Sequence, residues 1–155
     1  MKRCHLTLVT LTAVAALAAG SSAAPGANRS PARVATVKTA TSPLGRILVD
    51  SRGRTLYLFE KDRRGRSACA GACVAYWPPL LAHGKPTAGG GAKQALLGVT
   101  RRANGTKQVT YAGQPLYRFV QDTRPGQTNG QDSHAFGAGW YVLSAAGKKI
   151  EKDGQ

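Results

Sequence analysis

The chain has 155 residues, with 22 lysines and arginines against 7 acidic residues and a formal net charge of +15. This length accommodates one domain or two small repeats and excludes a multidomain protein. The 19 glycines and 8 prolines favour a turn-rich globular fold and argue against a coiled coil or an all-helical chain.

The N-terminal segment has the pattern of an export signal. It starts with the basic residues Lys2 and Arg3, continues as an uncharged apolar run over residues 6–19, and ends in the small residues Ser21-Ser22-Ala23, which suit a signal peptidase. A membrane-spanning helix needs an apolar run of about 18 residues or more. We therefore predict a signal peptide over residues 1–23, a secreted or cell-envelope location and no transmembrane anchor.

Residues 24–43 are predicted to form a flexible linker, because they are rich in alanine, proline, serine, threonine and basic residues and contain little large apolar surface. A first strand starting near Val34 or Val37 remains open. The remainder, residues 44–155, is predicted to be a single β domain that is monomeric.

An internal duplication organises this domain. Shifting the sequence by 60 positions gives 8 identities in the 20 positions from Gly45 to Arg64, where about one is expected by chance. The identical pairs are Gly45/Gly105, Val49/Val109, Gly53/Gly113, Leu56/Leu116, Tyr57/Tyr117, Phe59/Phe119, Asp62/Asp122 and Arg64/Arg124. We predict two repeats, at about residues 44–81 and 96–150.

Each repeat is predicted to contain a β-hairpin. In the first, the β-prone run Ile47–Val49 leads through the turn Asp50–Gly53 into the branched and aromatic residues Thr55–Phe59. In the second, Asn104-Gly105 is typical of a type I′ turn and predicts that residues 97–100 pair with residues 108–111.

The hairpin strands are apolar on both faces. Alternation puts Tyr57 and Phe59 on one side and Leu56 and Leu58 on the other, and in the second copy it puts Leu116 and Val120 on a shared side. Strands of this kind lie between two layers. We therefore predict an all-β fold in which two hairpin or meander repeats pack as a small antiparallel sandwich or barrel-like sheet.

The motif Tyr-x-aromatic-x-x-Asp occurs in both copies, and a tryptophan follows each. The residues concerned are Tyr57, Phe59, Asp62 and Trp77 in the first copy and Tyr117, Phe119, Asp122 and Trp140 in the second. Together with Cys69, Cys73 and Trp77-Pro78-Pro79-Leu80, this pattern resembles a bacterial secreted-repeat family described as predicted lipoproteins. The resemblance covers about residues 44–150 and implies an envelope or extracellular setting without a settled activity. Cys4 precedes the apolar run, so the chain departs from the lipid-anchored members.

The duplicated tyrosine, phenylalanine and aspartate residues have two interpretations. As a ligand site, the rings would stack on a planar group and the carboxylates would bind a cation. As structural residues, the aromatic side chains would pair across strands and the aspartates would close turns by accepting backbone N–H bonds. We favour the structural interpretation, because residues that both copies share are those that each copy needs to fold.

Cys69 and Cys73 occur only in the first copy, and in an exported protein we expect them to form a disulfide. A short helical turn capped by Ser67 and running towards Tyr76 is predicted around them. A redox couple remains an alternative, whereas a metal site is disfavoured because His83 and His134 do not complete a metal-ligand pattern. We predict no metal, no cofactor and no catalytic residue.

The positive charge predicts the partner class. The candidate anion-binding residues are Arg52, Arg54, Arg63, Arg64 and Arg66, the densest basic cluster in the sequence. They predict weak, salt-sensitive binding to anionic cell-envelope polymers or lipid head groups and no specific recognition of nucleic acid. The leading hypothesis is a non-enzymatic binding module, and the alternative is a redox or electron-transfer accessory protein that uses Cys69 and Cys73.

Overall fold

The computed structural model describes residues 33–63 and 65–151, which belong to one compact unit. Its regular elements are β1 (Thr36–Ser42), β2 (Gly45–Asp50), β3 (Tyr57–Phe59), α1 (Ala72–Tyr76), β4 (Thr87–Ala88), β5 (Leu97–Arg101), β6 (Lys107–Tyr111), β7 (Gln114–Pro115) and β8 (Trp140–Val142), with 3₁₀ turns at Gln94–Leu96 and Ala135–Gly137. The predicted all-β fold with a short helix near the cysteines is confirmed. The predicted signal peptide, the start of the predicted linker and Arg64 lie outside the described residues.

Strand β1 lies within the segment predicted to be linker, so the linker prediction is wrong for residues 36–42, and the first strand that the sequence left open near Val37 is present. β1 pairs antiparallel with β2 from Val37↔Asp50 to Ser42↔Gly45. Its threonines and Val37 are β-branched, and Val37 is fully buried against the core. Small polar composition therefore concealed a half-exposed strand, which starts at Thr36.

The described strands form three small sheets, in the orders β2-β1-β4, β3-β8 and β5-β6-β7. Most pairings are antiparallel, and the short contact between β1 and β4 is parallel. Single antiparallel bridges tie the sheets to neighbouring segments, for example Ile47 of β2 to Ser144 just after β8, and Gln108 of β6 to Leu81. The sheets are therefore joined by backbone pairing as well as by side chains.

The two repeats are interleaved in space. Strand β3 of the first repeat pairs with β8 at the end of the second, in the register Tyr57↔Val142. Reciprocally, Tyr117 of the second repeat forms an antiparallel bridge with Pro79 near the end of the first. Tyr57 and Tyr117 also face each other, with N···O distances of 2.9 and 3.0 Å in the two directions. Each repeat thus supplies a pairing partner to the other.

The ungapped alignment of the repeats is one residue out of register before the hairpin turn. The N–H of Leu56 donates to Leu48, whereas the N–H of Leu116 donates to Val109, and both distances are 3.0 Å. Leu48, rather than Val49, is therefore the structural counterpart of Val109. The first hairpin has a longer loop, and the second turns tightly at Ala112-Gly113, where both φ angles are positive.

The hairpin between β5 and β6 forms as predicted, but its turn type is different. Arg102 donates its N–H to Thr106 and Gly105 donates to Arg102, which makes a three-residue loop. Gly105 has φ 82°, whereas Asn104 is not in the left-handed region that a type I′ turn requires. Instead, the Asn104 side chain accepts the N–H of Thr106 and stabilises the longer loop.

The core consists of two clusters on opposite faces of the central strands. Leu56 and Leu58 belong to the first cluster, and Tyr57 and Phe59 belong to the second. This is the alternation that the sequence predicted. Val120 is an exception, since it is 40% exposed and does not share the interior with Leu116 as expected. The chain turns immediately after residue 119 and so leaves the layer.

We predict that neither half of the domain folds alone. Residues 24–91 contain β3 without β8, and residues 92–155 contain Tyr117 without Pro79, so backbone groups of both halves lose their partners. The separated halves should lack the near-ultraviolet circular dichroism of ordered aromatic residues, and mixing them should restore the signal of residues 24–155. An ordered spectrum from one isolated half would contradict the interleaved arrangement.

Candidate functional site: an aromatic core and an arginine groove

Four rings of the duplicated motif form a column inside the domain. Trp77 and Trp140 stack nearly parallel at the centre, with ring centroids 3.9 Å apart. Phe59 stacks on Trp140 at 4.0 Å, and Phe119 stacks on Trp77 at 4.3 Å. The order of the column is therefore Phe59, Trp140, Trp77, Phe119. Each phenylalanine packs against the tryptophan that belongs to the other repeat.

The two motif tyrosines close the sides of this column. Tyr57 meets Trp77 edge-on at 5.3 Å, and Tyr117 meets Trp140 in the same way at 5.1 Å. Such aromatic pairs each contribute about 0.5–1.5 kcal/mol beyond the burial of their area. Both tryptophans and both tyrosines are at most 1% exposed. These side chains therefore fill the core and do not offer a face to a ligand.

The tyrosine hydroxyls and the motif aspartates pair across the repeats. Tyr57 donates to Asp122 Oδ2 at 2.6 Å, and Tyr117 donates to Asp62 Oδ2 at 2.8 Å. The second oxygen of each carboxylate accepts a backbone N–H from the loop that follows it, at 2.7–2.8 Å. Both aspartates therefore close their own loops and also bind the opposite repeat. This reciprocal pairing gives the motif spacing a structural cause.

Burial perturbs the titration of these pairs. Burial raises the pKa of Asp62 to about 6, even though the N–H of Ala68 and the hydroxyl of Tyr117 stabilise its charged form. Burial also raises the pKa of Asp122. Burial and the adjacent carboxylates raise the pKa of both Tyr57 and Tyr117, so these hydroxyls remain donors at neutral pH. The fold therefore holds both carboxylates at positions where burial destabilises their charged form.

We predict that Asp62 makes the protein less stable as the pH rises from about 4 to about 6. Its pKa of about 6 in the folded protein lies above the ordinary aspartate value of 3.8, so the folded protein binds a proton where the unfolded chain does not. Asp62→Asn should therefore flatten the dependence of the unfolding free energy on pH over this window, measured by urea denaturation. Glu151→Gln, at an exposed position, is the control. An unchanged slope in Asp62→Asn would refute this assignment.

Cys69 and Cys73 form the expected disulfide, with Cα atoms 5.3 Å apart. Cys69 precedes α1 and Cys73 lies within it. The prediction that Ser67 caps this helix is wrong, because the helix follows Gly71 and has no side-chain cap. The Ser67 hydroxyl instead lies 2.7 Å from the Tyr117 hydroxyl, to which it donates because the Tyr117 proton is bound to Asp62, and it accepts a hydrogen bond from a nearby arginine.

The disulfide is buried rather than presented to solvent. Cys69 and Cys73 are 1% and 4% exposed and pack in the aromatic cluster with Trp77. A reductant must reach a sulfur atom before thiol exchange begins. This burial favours a structural role for the pair over the redox alternative.

We predict that the bridge resists reduction until the protein unfolds. In a protein of residues 24–155, which lacks Cys4, dithiothreitol followed by a thiol-alkylating reagent should leave the native mass unchanged, whereas the same treatment in guanidinium chloride should modify both Cys69 and Cys73. Mass spectrometry distinguishes the two results. Rapid and reversible reduction of the native protein would favour the redox hypothesis.

A cationic groove lies on the surface beside the start of β1. Its volume is about 670 Å³, and its apolar wall includes Pro78, Pro79 and Leu80. The charged and titratable residues that line it are Arg33, Arg52, Arg102, Arg118, His83 and Asp50. Four arginines therefore face one carboxylate. We call this feature the arginine groove.

Arg102 contributes a fixed positive charge to the arginine groove. It is 8% exposed, and its guanidinium donates to Gln108 Oε1 at 2.6 Å, to the Cys69 carbonyl at 2.6 Å and to Ser67 Oγ at 2.8 Å. These partners are all neutral, and no carboxylate of the described residues forms an ion pair with it. The charge of Arg102 favours the ionised form of Asp62, but the two side chains form no ion pair, so no contacting anion neutralises the guanidinium.

Arg118 is the second important cation. Its Nη1 lies 3.7 Å from Asp50 Oδ2, and its Nε is buried without a hydrogen-bond partner in the described part of the chain. The other oxygen of Asp50 already accepts the backbone N–H groups of Arg52 and Arg54 at 2.8 and 3.0 Å. The one carboxylate that lines the groove therefore also accepts backbone N–H groups of a turn. Arg118 consequently keeps N–H groups that can donate to another acceptor.

The predicted basic cluster is dispersed in the structure. Arg52 lines the arginine groove, and Arg54 lies half-buried where its charge acts on Asp122. Arg63 and Arg66 are exposed and pair with each other through their backbones, outside the groove. Arg64 lies outside the described residues. Proximity in sequence thus identified one of the four groove arginines.

Arg33, Arg102 and Arg118 were missed because they lie far apart in the sequence. One signal was present: Arg118 fills the variable position of Tyr-x-aromatic, where the first copy has Leu58. A charged residue that replaces a leucine buried in the other repeat marks a site where the copies have diverged. Arg102 gives no comparable signal.

Other candidate chemistry is limited in the described residues. They contain no group of three or more histidine, cysteine, aspartate or glutamate side chains arranged to hold a metal. Asp132 and His134 lie 3.5 Å apart in an exposed loop. Within the same residues, none of the helices has both the length and the apolar character needed to cross a bilayer.

The repeat architecture agrees with the comparison to known families. A family model described as a secreted repeat of unknown function matches residues 38–81 and again residues 98–144. The chain belongs to this family of secreted repeats, and its location is extracellular or at the cell envelope. The first match begins within β1, so the repeat starts earlier than the predicted residue 44. No curated protein and no solved structure is significantly similar to the chain.

Proposed function

We propose that this protein is a non-enzymatic extracellular module that binds anionic cell-envelope material through the arginine groove. The observation that carries the proposal is the pair Arg102 and Arg118. The first is a buried guanidinium with only neutral partners, and the second keeps an unpartnered buried N–H beside its long ion pair. Positive charges that lack contacting counterions attract an anion from outside the fold.

Guanidinium groups also suit the chemistry of this ligand class. Their planar arrays of N–H donors match carboxylate and phosphate oxygens, and such charge-assisted hydrogen bonds are stronger than neutral ones. With Arg33 and Arg52 at the same groove, the site offers several donors to successive anionic groups of a polymer. Phosphate groups of lipid heads share this chemistry, so polymer and lipid are separate arms of the test.

We predict that Arg52→Gln with Arg118→Gln weakens binding to an immobilised polyanion much more than Arg63→Gln with Arg66→Gln. Both double variants remove two positive charges, but only the first pair lines the arginine groove. Polyglutamate and vesicles containing an anionic phospholipid are the two probes, each eluted with increasing salt. The groove variant should elute at a lower salt concentration, because it forms fewer ionic contacts with the polyanion.

Equal losses in the two double variants would reduce the interaction to net charge and reject the groove as the site. Stronger retention on vesicles than on polyglutamate would identify lipid head groups as the source of the anion. Retention of the unaltered protein that does not change with salt would contradict an electrostatic site.

A further inference from the structure

An exposed aromatic pair adjoins the arginine groove. Tyr76 and Phe136 are 53% and 38% exposed, and their rings lie 6.0 Å apart with planes inclined at 44°. The exposed side chain of Val120 lies next to them, because its backbone N–H donates to the Tyr76 carbonyl at 3.0 Å. We call these three residues the aromatic platform. Clustered exposed apolar groups of this kind mark interaction sites.

The backbone of Phe136 is strained. Its φ of 65° and ψ of 20° lie in the left-handed region, which a bulky side chain rarely adopts and which costs about 1–3 kcal/mol. The ring does not recover this cost by full burial, since more than a third of it is exposed. Conformations of this kind concentrate at binding sites, where the side chain must be presented in a set direction.

The aromatic platform and the arginine groove share one face of the domain. Phe119 stacks inward on Trp77, whereas the residues that flank it reach solvent, since the Arg118 side chain is 33% exposed and Val120 is 40% exposed. The paired segment 76–78 has the same pattern, with Trp77 directed inward. The backbone N–H of Arg118 donates to the carbonyl of Pro78 in this segment, at the wall of the arginine groove. Two residues further on, the N–H of Val120 donates to the carbonyl of Tyr76 in the aromatic platform. The exposed residues of these two paired segments therefore connect the arginine groove with the aromatic platform.

We infer that the groove and the platform together bind an anionic polysaccharide, with its acidic groups against the arginines and a sugar ring against Tyr76 and Phe136. This inference rests on the proposed function of the groove. One face of a sugar ring carries C–H groups and packs on an aromatic surface, while its carboxylate or phosphate groups need cations. A polyanion that lacks sugar rings satisfies the groove alone. The juxtaposition of charge and ring is what selects the polysaccharide.

The test compares two carboxylate polymers on the full secreted chain. Hyaluronan carries its carboxylates on sugar rings, whereas polyglutamate carries them without sugars. Tyr76→Ala and Phe136→Gly should each weaken hyaluronan binding about tenfold, equivalent to about 1.4 kcal/mol, and change polyglutamate binding by less than twofold. Titration calorimetry at low salt gives both affinities. Val99→Ala, an exposed apolar position on β5, is the matched control.

Phe136→Gly separates loss of the ring from loss of the fold. Glycine adopts the left-handed backbone without steric cost, so the melting temperature of this variant should be equal to or above that of the unaltered protein. A Phe136→Gly protein that is folded and still binds hyaluronan with full affinity would overturn the platform.

The remaining outcomes distinguish the two proposals. Equal losses on hyaluronan and polyglutamate in the ring variants would overturn the assignment of a sugar, as would an unaltered protein that does not bind hyaluronan. Arg52→Gln with Arg118→Gln should weaken both polymers. Full binding of both polymers by that variant would overturn the function proposed for the groove, whatever the ring variants do.

Discussion

The reciprocal contact between the two repeats is the constraint on which the domain depends. Trp77 and Trp140 stack against each other, and each carries the phenylalanine of the opposite repeat on its other face. The same exchange occurs in the tyrosine–aspartate hydrogen bonds and in the pairing of β3 with β8. Neither repeat encloses its own aromatic residues, so the core exists only when both copies are present. The recurring motif is therefore explained by assembly of the fold.

Duplication also provides an internal comparison for the arginine groove. Arg118 and Leu58 hold corresponding positions, as do Pro78 and Tyr141, which pair with them. On the Leu58 side, Lys149 lies over the Tyr141 ring and forms ion pairs with two glutamates. Charges are neutralised locally there, whereas the arginines of the groove meet a single carboxylate. The scaffold is shared, and the two repeats differ at these positions in a few side chains.

Sequence periodicity succeeded where a residue's position depended on its near neighbours. The opposite orientations of Leu56 and Tyr57 follow from strand alternation, and the Cys69–Cys73 disulfide follows from export and close spacing. It failed where pairing partners were distant. The start of β1 at Thr36 pairs with Thr87 of β4, 51 residues away, and the role of Ser67 depends on Tyr117, 50 residues away.

The sequence by itself determined the secreted repeat, the β class and the alternating faces, because these properties are written in local composition and in the spacing of identical residues. Tertiary structure alone decided that the repeats exchange partners and that Arg102 and Arg118 line one groove. Both results depend on contacts between segments far apart in the chain. The energy of such contacts depends on three-dimensional geometry, to which a linear pattern of residues gives no direct access.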